Sequence, residues 1–142
     1  MATGVLDPGC VFCKIIRGEI PCQRVFENDR LLAFLDIGPL ARGHTVIVPK
    51  HHCPNLEDLP EAFAAELGQA FGRIARALVS TVSAGGYNVL QNNGSVAGQL
   101  VPHVHFHIIP RHADDGLGYR WKAKSASAVE LAELAQLIHA AL

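Results

Sequence analysis

Apolar positions recur along the chain with different spacings, and each spacing predicts its own element. Residues 25–27 and 31–36 are short apolar runs separated by an Asn28-Asp29 turn, which predicts a hairpin. Residues 44–49 are β-branched and nearly continuous in apolar character, which predicts a third strand in a central position. Helical spacing then takes over: Leu59, Phe63, Leu67, Phe71, Ile74, Leu78 and Val82 fall on one stripe. Asp58 as cap, the early Pro60 and Glu61 predict where that helix starts, and Gly85-Gly86 where it has ended. Residues 87–91 predict a fourth strand. In residues 103–110, His-Val-His-Phe-His-Ile-Ile-Pro, polar and apolar positions alternate strictly, which is the strand period. This fifth segment is expected to aim three imidazoles at one face and Val104, Phe106 and Ile108 at a core.

The ends are less regular. Residues 10–16 read as a short apolar turn or helix stopped near Gly18, and residues 1–9 as a loose leader of Gly, Asp and Pro. Ser127 and Glu130 form a capping box that opens a C-terminal helix carrying Leu131, Leu134, Ile138 and Leu142. The order of elements predicts one α+β domain over residues 1–142. It has a five-stranded, mostly antiparallel sheet, with a long helix crossing between strands three and four. Its core spans about residues 10–111, and residues 112–142 form a C-terminal loop and helix. Trp121, within that tail, either reaches a partner's site or packs locally.

Composition narrows the function classes. The 12 basic and 13 acidic residues nearly cancel, so the chain lacks the basic surface of a non-specific nucleic-acid binder. No apolar run approaches a membrane span, and residues 1–9 lack the basic start and apolar stretch of a signal peptide. A cytoplasmic protein is expected, with its 4 cysteines as thiols or metal ligands rather than disulfides.

Chemistry concentrates in few places. Three imidazoles on one face can support nucleophilic attack on phosphorus with neighbouring rings on the phosphate oxygens, or a three-histidine zinc site. Cys10-x-x-Cys13 is half of a zinc site, and His44, His51, His52 and His103 are the candidate partners. Cys22 and Cys53 stand alone and read as core residues. The loop of residues 92–99 leads directly to the histidines. Its Gly94 and Gly98 let backbone approach a ligand, and Asn92 and Gln99 offer amide donors to an anion. Asp36 closes the second strand, where a carboxylate could accept both hydroxyls of a ribose.

Taken together these residues resemble the histidine-triad (HIT) family, and in particular its Hint-like branch. The resemblance is carried by His103-x-His105-x-His107, by residues 12–21 and 32–37, by Gly43-His44-Thr45 with Val48-Pro49-Lys50, and by Asn92-Asn93-Gly94 with Ala97-Gly98-Gln99. It implies a HIT-like fold, a homodimer, and cleavage at the α-phosphate of nucleoside phosphoramidates or aminoacyl-adenylate-like compounds. The alternative activity is that of a nucleotide-binding regulator whose hydrolysis is incidental. By position, His105 is the nucleophile, flanked by His103 and His107. Asn92 and Gln99 lie on the phosphate side. Phe12, Ile15 and Phe34 wall a purine base, and Asp36 with Ile37 holds the ribose end. The branch also implies a structural zinc on Cys10, Cys13, His52 and His103. One position departs from the pattern: Leu100 follows Gln99 where a serine or threonine is usual, which bears on the leaving group.

Overall fold

The structure, a computed structural model, describes residues 4–118 and 122–142. Trp121 lies outside the described residues. The expected α+β architecture is present: β1 (Arg24–Glu27), β2 (Leu31–Leu35), β3 (Thr45–Pro49), β4 (Gly86–Leu90) and β5 (Phe106–Arg111) form one sheet in the order β1-β2-β3-β5-β4. Every neighbouring pair is antiparallel. Among the described residues three α-helices accompany it: α1 (Val11–Ile16), α2 (Glu61–Val82) and α3 (Ala128–Ala141).

Both faces of the central strands are covered, which is why β2 and β3 read as continuous apolar runs rather than alternating ones. Leu31, Ala33, Ile47, Val104, Phe106 and Ile108 face α2 and meet its Phe63, Leu67, Ile74 and Leu78. Leu32, Phe34, Val46 and Val48 face the other way and pack with Ile15 and, less deeply, Phe12 and Ile20. Burying such side chains is worth about 1.5–3 kcal/mol each, so α2 and the sheet lock one another in place.

Three expectations are corrected. Asp58 does not cap α2. It sits in a short 3-10 turn, and the N-cap is Pro60, whose carbonyl accepts from the Phe63 and Ala64 amides. Proline fits there because its missing N–H would have had no partner inside the helix. Over its described residues, 4–9, the leader is not loose: the Val5 carbonyl accepts from the His52 amide at 2.7 Å. Finally, ladder pairing along the histidine segment begins only at Phe106. Residues 103–105 approach it through bonds outside the ladder, His103 N–H to the nearby Val101 carbonyl and Val104 N–H to the distant Cys53 carbonyl, both 2.8 Å. The alternation of faces survives this change of partners.

At the C-terminus, Ser127 accepts from the Glu130 amide at 3.2 Å, as its capping sequence predicts. Every residue of α3 is exposed. No helix among the described residues is long and apolar enough to cross a membrane.

Candidate functional site

The histidine segment lies between β3 and β4, and its paired residues set the site's floor. Val46 stands directly opposite His107, so both side chains leave the sheet on the face away from α2. The rings of His105 and His107 are 5.1 Å apart, centre to centre. Phe12, delivered by α1, sets its edge against His105 at 5.0 Å and against Phe34 at 5.9 Å.

Each imidazole has one nitrogen occupied by the protein, and the partner assigns its proton. His105 Nδ1–H donates to the His103 carbonyl at 2.7 Å, which leaves Nε2 as a bare lone pair. His44 Nδ1 accepts from the Leu40 amide at 3.0 Å, so its proton is on Nε2. That Nε2–H donates to His107 Nδ1 at 2.9 Å, which puts the His107 proton on Nε2. His103 Nε2–H donates to the Pro49 carbonyl at 2.9 Å and frees Nδ1.

Burial keeps these rings neutral. It pushes His107 down to about 4, helped by the charges that His105 and His44 would carry. Burial also lowers His105, against a smaller pull upward from the His103 carbonyl and Asp36. His44 is lowered by burial too, with Asp36 opposing. At neutral pH the site therefore presents a nucleophilic nitrogen at His105 beside a hydrogen-bond donor at His107.

These two rings sit at the polar end of a cavity of about 320 Å³. Its apolar walls include Phe12, Ile15, Phe34 and Val46, and Asp36, Ile37 and Leu100 reach its lining as well. Asp36 Oδ1 accepts from the Gly38 amide at 2.8 Å, and Oδ2 lies 3.6 Å from His44 Nε2. Asn92 and Gln99 are placed differently. Neither lines this cavity. The Gln99 amide closes its own loop, accepting from the Gly94 amide and donating to the Pro54 carbonyl, each at 2.7 Å. Gly94 and Gly98 hold φ of 82° and 90° in that loop, the left-handed region that glycine adopts without strain.

A second cluster lies on the far side of His103. Cys10, Cys13, His52 and His103 bring one ligand atom each within 4.8 Å of one another. The sulfur-to-Nδ1 distances run 3.4 Å (Cys10–His103), 3.5 Å (Cys13–His103) and 3.6 Å (Cys13–His52), and the two Nδ1 atoms are 3.4 Å apart. Zinc bonds of about 2.0–2.1 Å to nitrogen and about 2.3 Å to sulfur put tetrahedral nitrogen–nitrogen and sulfur–nitrogen pairs about 3.4–3.6 Å apart, so these pairs fit. Burial raises the Cys13 thiol to about 11, and a divalent cation is the charge that would favour its thiolate.

His51 turns the opposite way from His52 and packs its ring on Phe63 at 5.3 Å. His44 goes to His107. The four histidine candidates are thus divided, and His52 and His103 meet the cysteines. Among the described residues no potential metal group contains all three of His103, His105 and His107. Sequence reasoning treated His44 only as a possible metal ligand and missed its bond to His107. No local signal pointed to it, since the two rings are 63 residues apart in sequence.

Known proteins bear on this arrangement. The HIT domain family profile matches residues 17–114. The adenosine 5'-monophosphoramidase HNT1 of Saccharomyces cerevisiae is 42% identical over 134 residues, covering 94% of this chain and 82% of that protein. The adenylylsulfatase HINT3 of Arabidopsis thaliana is 43% identical over 123 residues, covering 87% of this chain but only 61% of its own length. Among solved structures, a member of the HIT family of proteins from Bacillus subtilis superposes with a TM-score of 0.90 at 40% identity, over 94% of this chain and 97% of that one. A Zn-bound histidine triad family protein from Mycobacterium smegmatis gives a TM-score of 0.73 at 40% identity, over 93% and 97%.

Proposed function

The chain belongs to the HIT domain family, and from that premise we propose that it is a nucleotide hydrolase acting through a covalent nucleotidyl-histidine on His105. Its substrates are purine nucleoside phosphoramidates or aminoacyl-adenylate-like compounds, cleaved at the α-phosphate. The observation that carries this reading is the 2.7 Å bond from His105 Nδ1 to the His103 carbonyl, which holds the ring neutral with Nε2 free. Curated relatives named adenosine 5'-monophosphoramidases support it.

The cavity suits such a substrate. A base fits between Phe12, Ile15 and Phe34, a ribose reaches Asp36 beside Ile37, and the phosphate meets His105 and His107. Attack by His105 Nε2 forms a nitrogen–phosphorus bond as the bond to the leaving nitrogen or oxygen breaks. His107 Nε2–H faces the charge that develops on the phosphoryl oxygens or the leaving atom. Water then attacks the same phosphorus, releases the nucleoside monophosphate and returns His105 to its neutral form. Gln99 contributes by shaping the loop over this end, its amide taken up by Gly94 and Pro54, and the Asn92 amide is the donor offered to the phosphate side. His103 serves the site from behind, through its carbonyl and as a metal ligand.

Cys10, Cys13, His52 and His103 hold a structural zinc in this reading, and a closed four-ligand set offers no position for a reacting water. The protein works in the cytoplasm as a homodimer. That none of the four cysteines is in a disulfide supports the first point. The β4 edge, where Tyr87 and Val89 are half exposed, supports the second. The test is His105→Ala assayed on adenosine 5'-phosphoramidate, with intact-mass analysis of a slow His107→Ala variant. Lost turnover in a folded protein, together with a nucleotidyl adduct mapped to His105, is expected. Near-normal turnover of His105→Ala would overturn the reading.

A further inference from the structure

The N-terminal leader makes more contacts with the four-ligand cluster than its sequence suggests, and they converge on one residue. Asp7 donates its backbone N–H to Cys13 Sγ at 3.4 Å. Its carboxylate Oδ2 lies 3.6 Å from His52 Nε2, the ring nitrogen that faces away from the cluster. Its Oδ1 accepts from the Gly9 amide at 2.6 Å, which turns the chain into Cys10. One residue thus addresses two of the four ligands and sets the approach of a third.

The leader is seated to deliver it. His52 N–H donates to the Val5 carbonyl at 2.7 Å, and Val5 N–H donates to His51 Nδ1 at 3.3 Å. Gly4 runs so close to β3's end that a Cβ there would stand 2.1 Å from the Lys50 carbonyl oxygen, so only glycine fits. His103, the other imidazole ligand, has its distal Nε2–H held by the Pro49 carbonyl. For His52 the group on that side is the Asp7 carboxylate, 3.6 Å away and within reach of a small turn of the ring. A histidine that ligates through one nitrogen is oriented, and made more basic, by an acceptor on the other.

We propose that Asp7 is the positioning residue of the metal centre, the carboxylate that orients His52 and that, with its amide on Cys13, sets zinc affinity. Metal loading and leader docking are then one equilibrium. Zinc fixes His52 and Cys13, these hold Asp7, and the leader stays against β3. Stripping the metal frees residues 4–9 while the sheet behind them stays folded.

This inference rests on the zinc reading of the four ligands, and the experiment separates the two. Zinc affinity of wild type, Asp7→Asn and Asp7→Ala is measured by competition with a chromophoric chelator, and apo and zinc-loaded melting temperatures are compared. Loss of the carboxylate should weaken zinc about 10–100-fold in both variants, the cost usual for removing such a partner. Apo melting should be unchanged. Asparagine is the discriminating change, because its amide oxygen still accepts from Gly9 and preserves the turn. If Asp7→Asn binds zinc within about twofold of wild type while Asp7→Ala does not, Asp7 only forms a turn and the proposal fails. It fails equally if both variants match wild type. A wild-type protein that holds no zinc overturns the metal reading itself, and Asp7's role with it. As a second measure, amide exchange at His52 should rise on zinc removal in wild type, and unchanged exchange would end the coupling of leader to metal.

Discussion

The contact between His44 and His107 gives the sharpest test of how the site is organised. His44→Phe keeps a flat ring in a nearly closed position and removes both nitrogens. Two bonds are lost, the 3.0 Å one from the Leu40 amide and the 2.9 Å one to His107 Nδ1. Leu40 is 57% exposed, so water can take over its amide at little cost. The consequence for catalysis runs through His107. Once Nδ1 has no donor, the His107 proton is no longer confined to Nε2, and part of the population offers a lone pair where a donor is needed. A net hydrogen bond of about 0.5–1.5 kcal/mol corresponds to a fall in kcat/KM of about two- to tenfold. Removing the donor outright, as in His107→Ala, should cost about 10²–10³-fold. The assay is steady-state turnover of adenosine 5'-phosphoramidate by wild type, the two single variants and the double variant. If His44 acts only through His107, its substitution adds nothing in the His107→Ala background, and the coupling energy equals the whole His44 effect. Wild-type activity for His44→Phe, or full additivity in the double variant, would refute the relay.

Four further outcomes follow from the same geometry. Because burial lowers His105 below its ordinary value of 6.5, the acid limb of kcat/KM should lie below pH 6.5; a limb at or above pH 7 would contradict a buried neutral nucleophile. Stability follows the same sign. A folded-state value near 4 for His107 means the unfolded chain takes the proton first, so its contribution is complete above about pH 6.5 and is lost as pH falls towards 4, which melting curves across that range would show. Prolonged chelation should lower the melting temperature before it lowers the turnover of still-folded enzyme, whereas immediate loss of turnover at unchanged stability would mean the metal takes part in the chemistry. Leu100, 92% exposed at the cavity rim, brings no hydroxyl to the leaving group. Leu100→Ser should therefore raise turnover of a phosphoramidate by severalfold relative to an acyl-adenylate, whose leaving group departs without a proton, and an unchanged ratio of the two rates would remove Leu100 from specificity.

What the sequence made legible and what it hid have separate physical causes. The runs in β2 and β3 were readable because both faces of the sheet's centre are buried, against α2 on one side and α1 on the other. The histidine alternation was readable because facing depends on extended backbone and not on a strand partner, so it holds through residues 103–105 although the ladder starts at Phe106. Asp58 misled because a capping pattern is a statement about side chains, whereas here the Pro60 carbonyl accepts the first-turn amides. His51 and His52 were ambiguous as adjacent residues. Their directions are separated by the contacts of the His52 ring with Cys13 and His103 and by the ring contact of His51 with Phe63. The contacts of His44 with His107 and of Asp7 with His52 were hidden for one shared reason, that the partners are 63 residues apart in one case and 45 in the other.

The alternate histidines divide their nitrogens among different tasks, and the backbone enforces the division. His103 gives Nε2 to the Pro49 carbonyl and turns Nδ1 towards the cysteines. The carbonyl of the same residue takes Nδ1–H of His105 and leaves that ring's Nε2 to the cavity. His103 is therefore shared between the Cys10–Cys13–His52 cluster and the ring of His105, through its ring on one side and its main chain on the other. The intervening Val104 and Phe106 are buried against α2, so the backbone that carries this shared residue cannot shift without opening the core. The carbonyl that sets the tautomer of His105 is thus held by the core itself, and in the proposed reading a zinc on the ring of His103 would add to that hold without approaching the phosphorus.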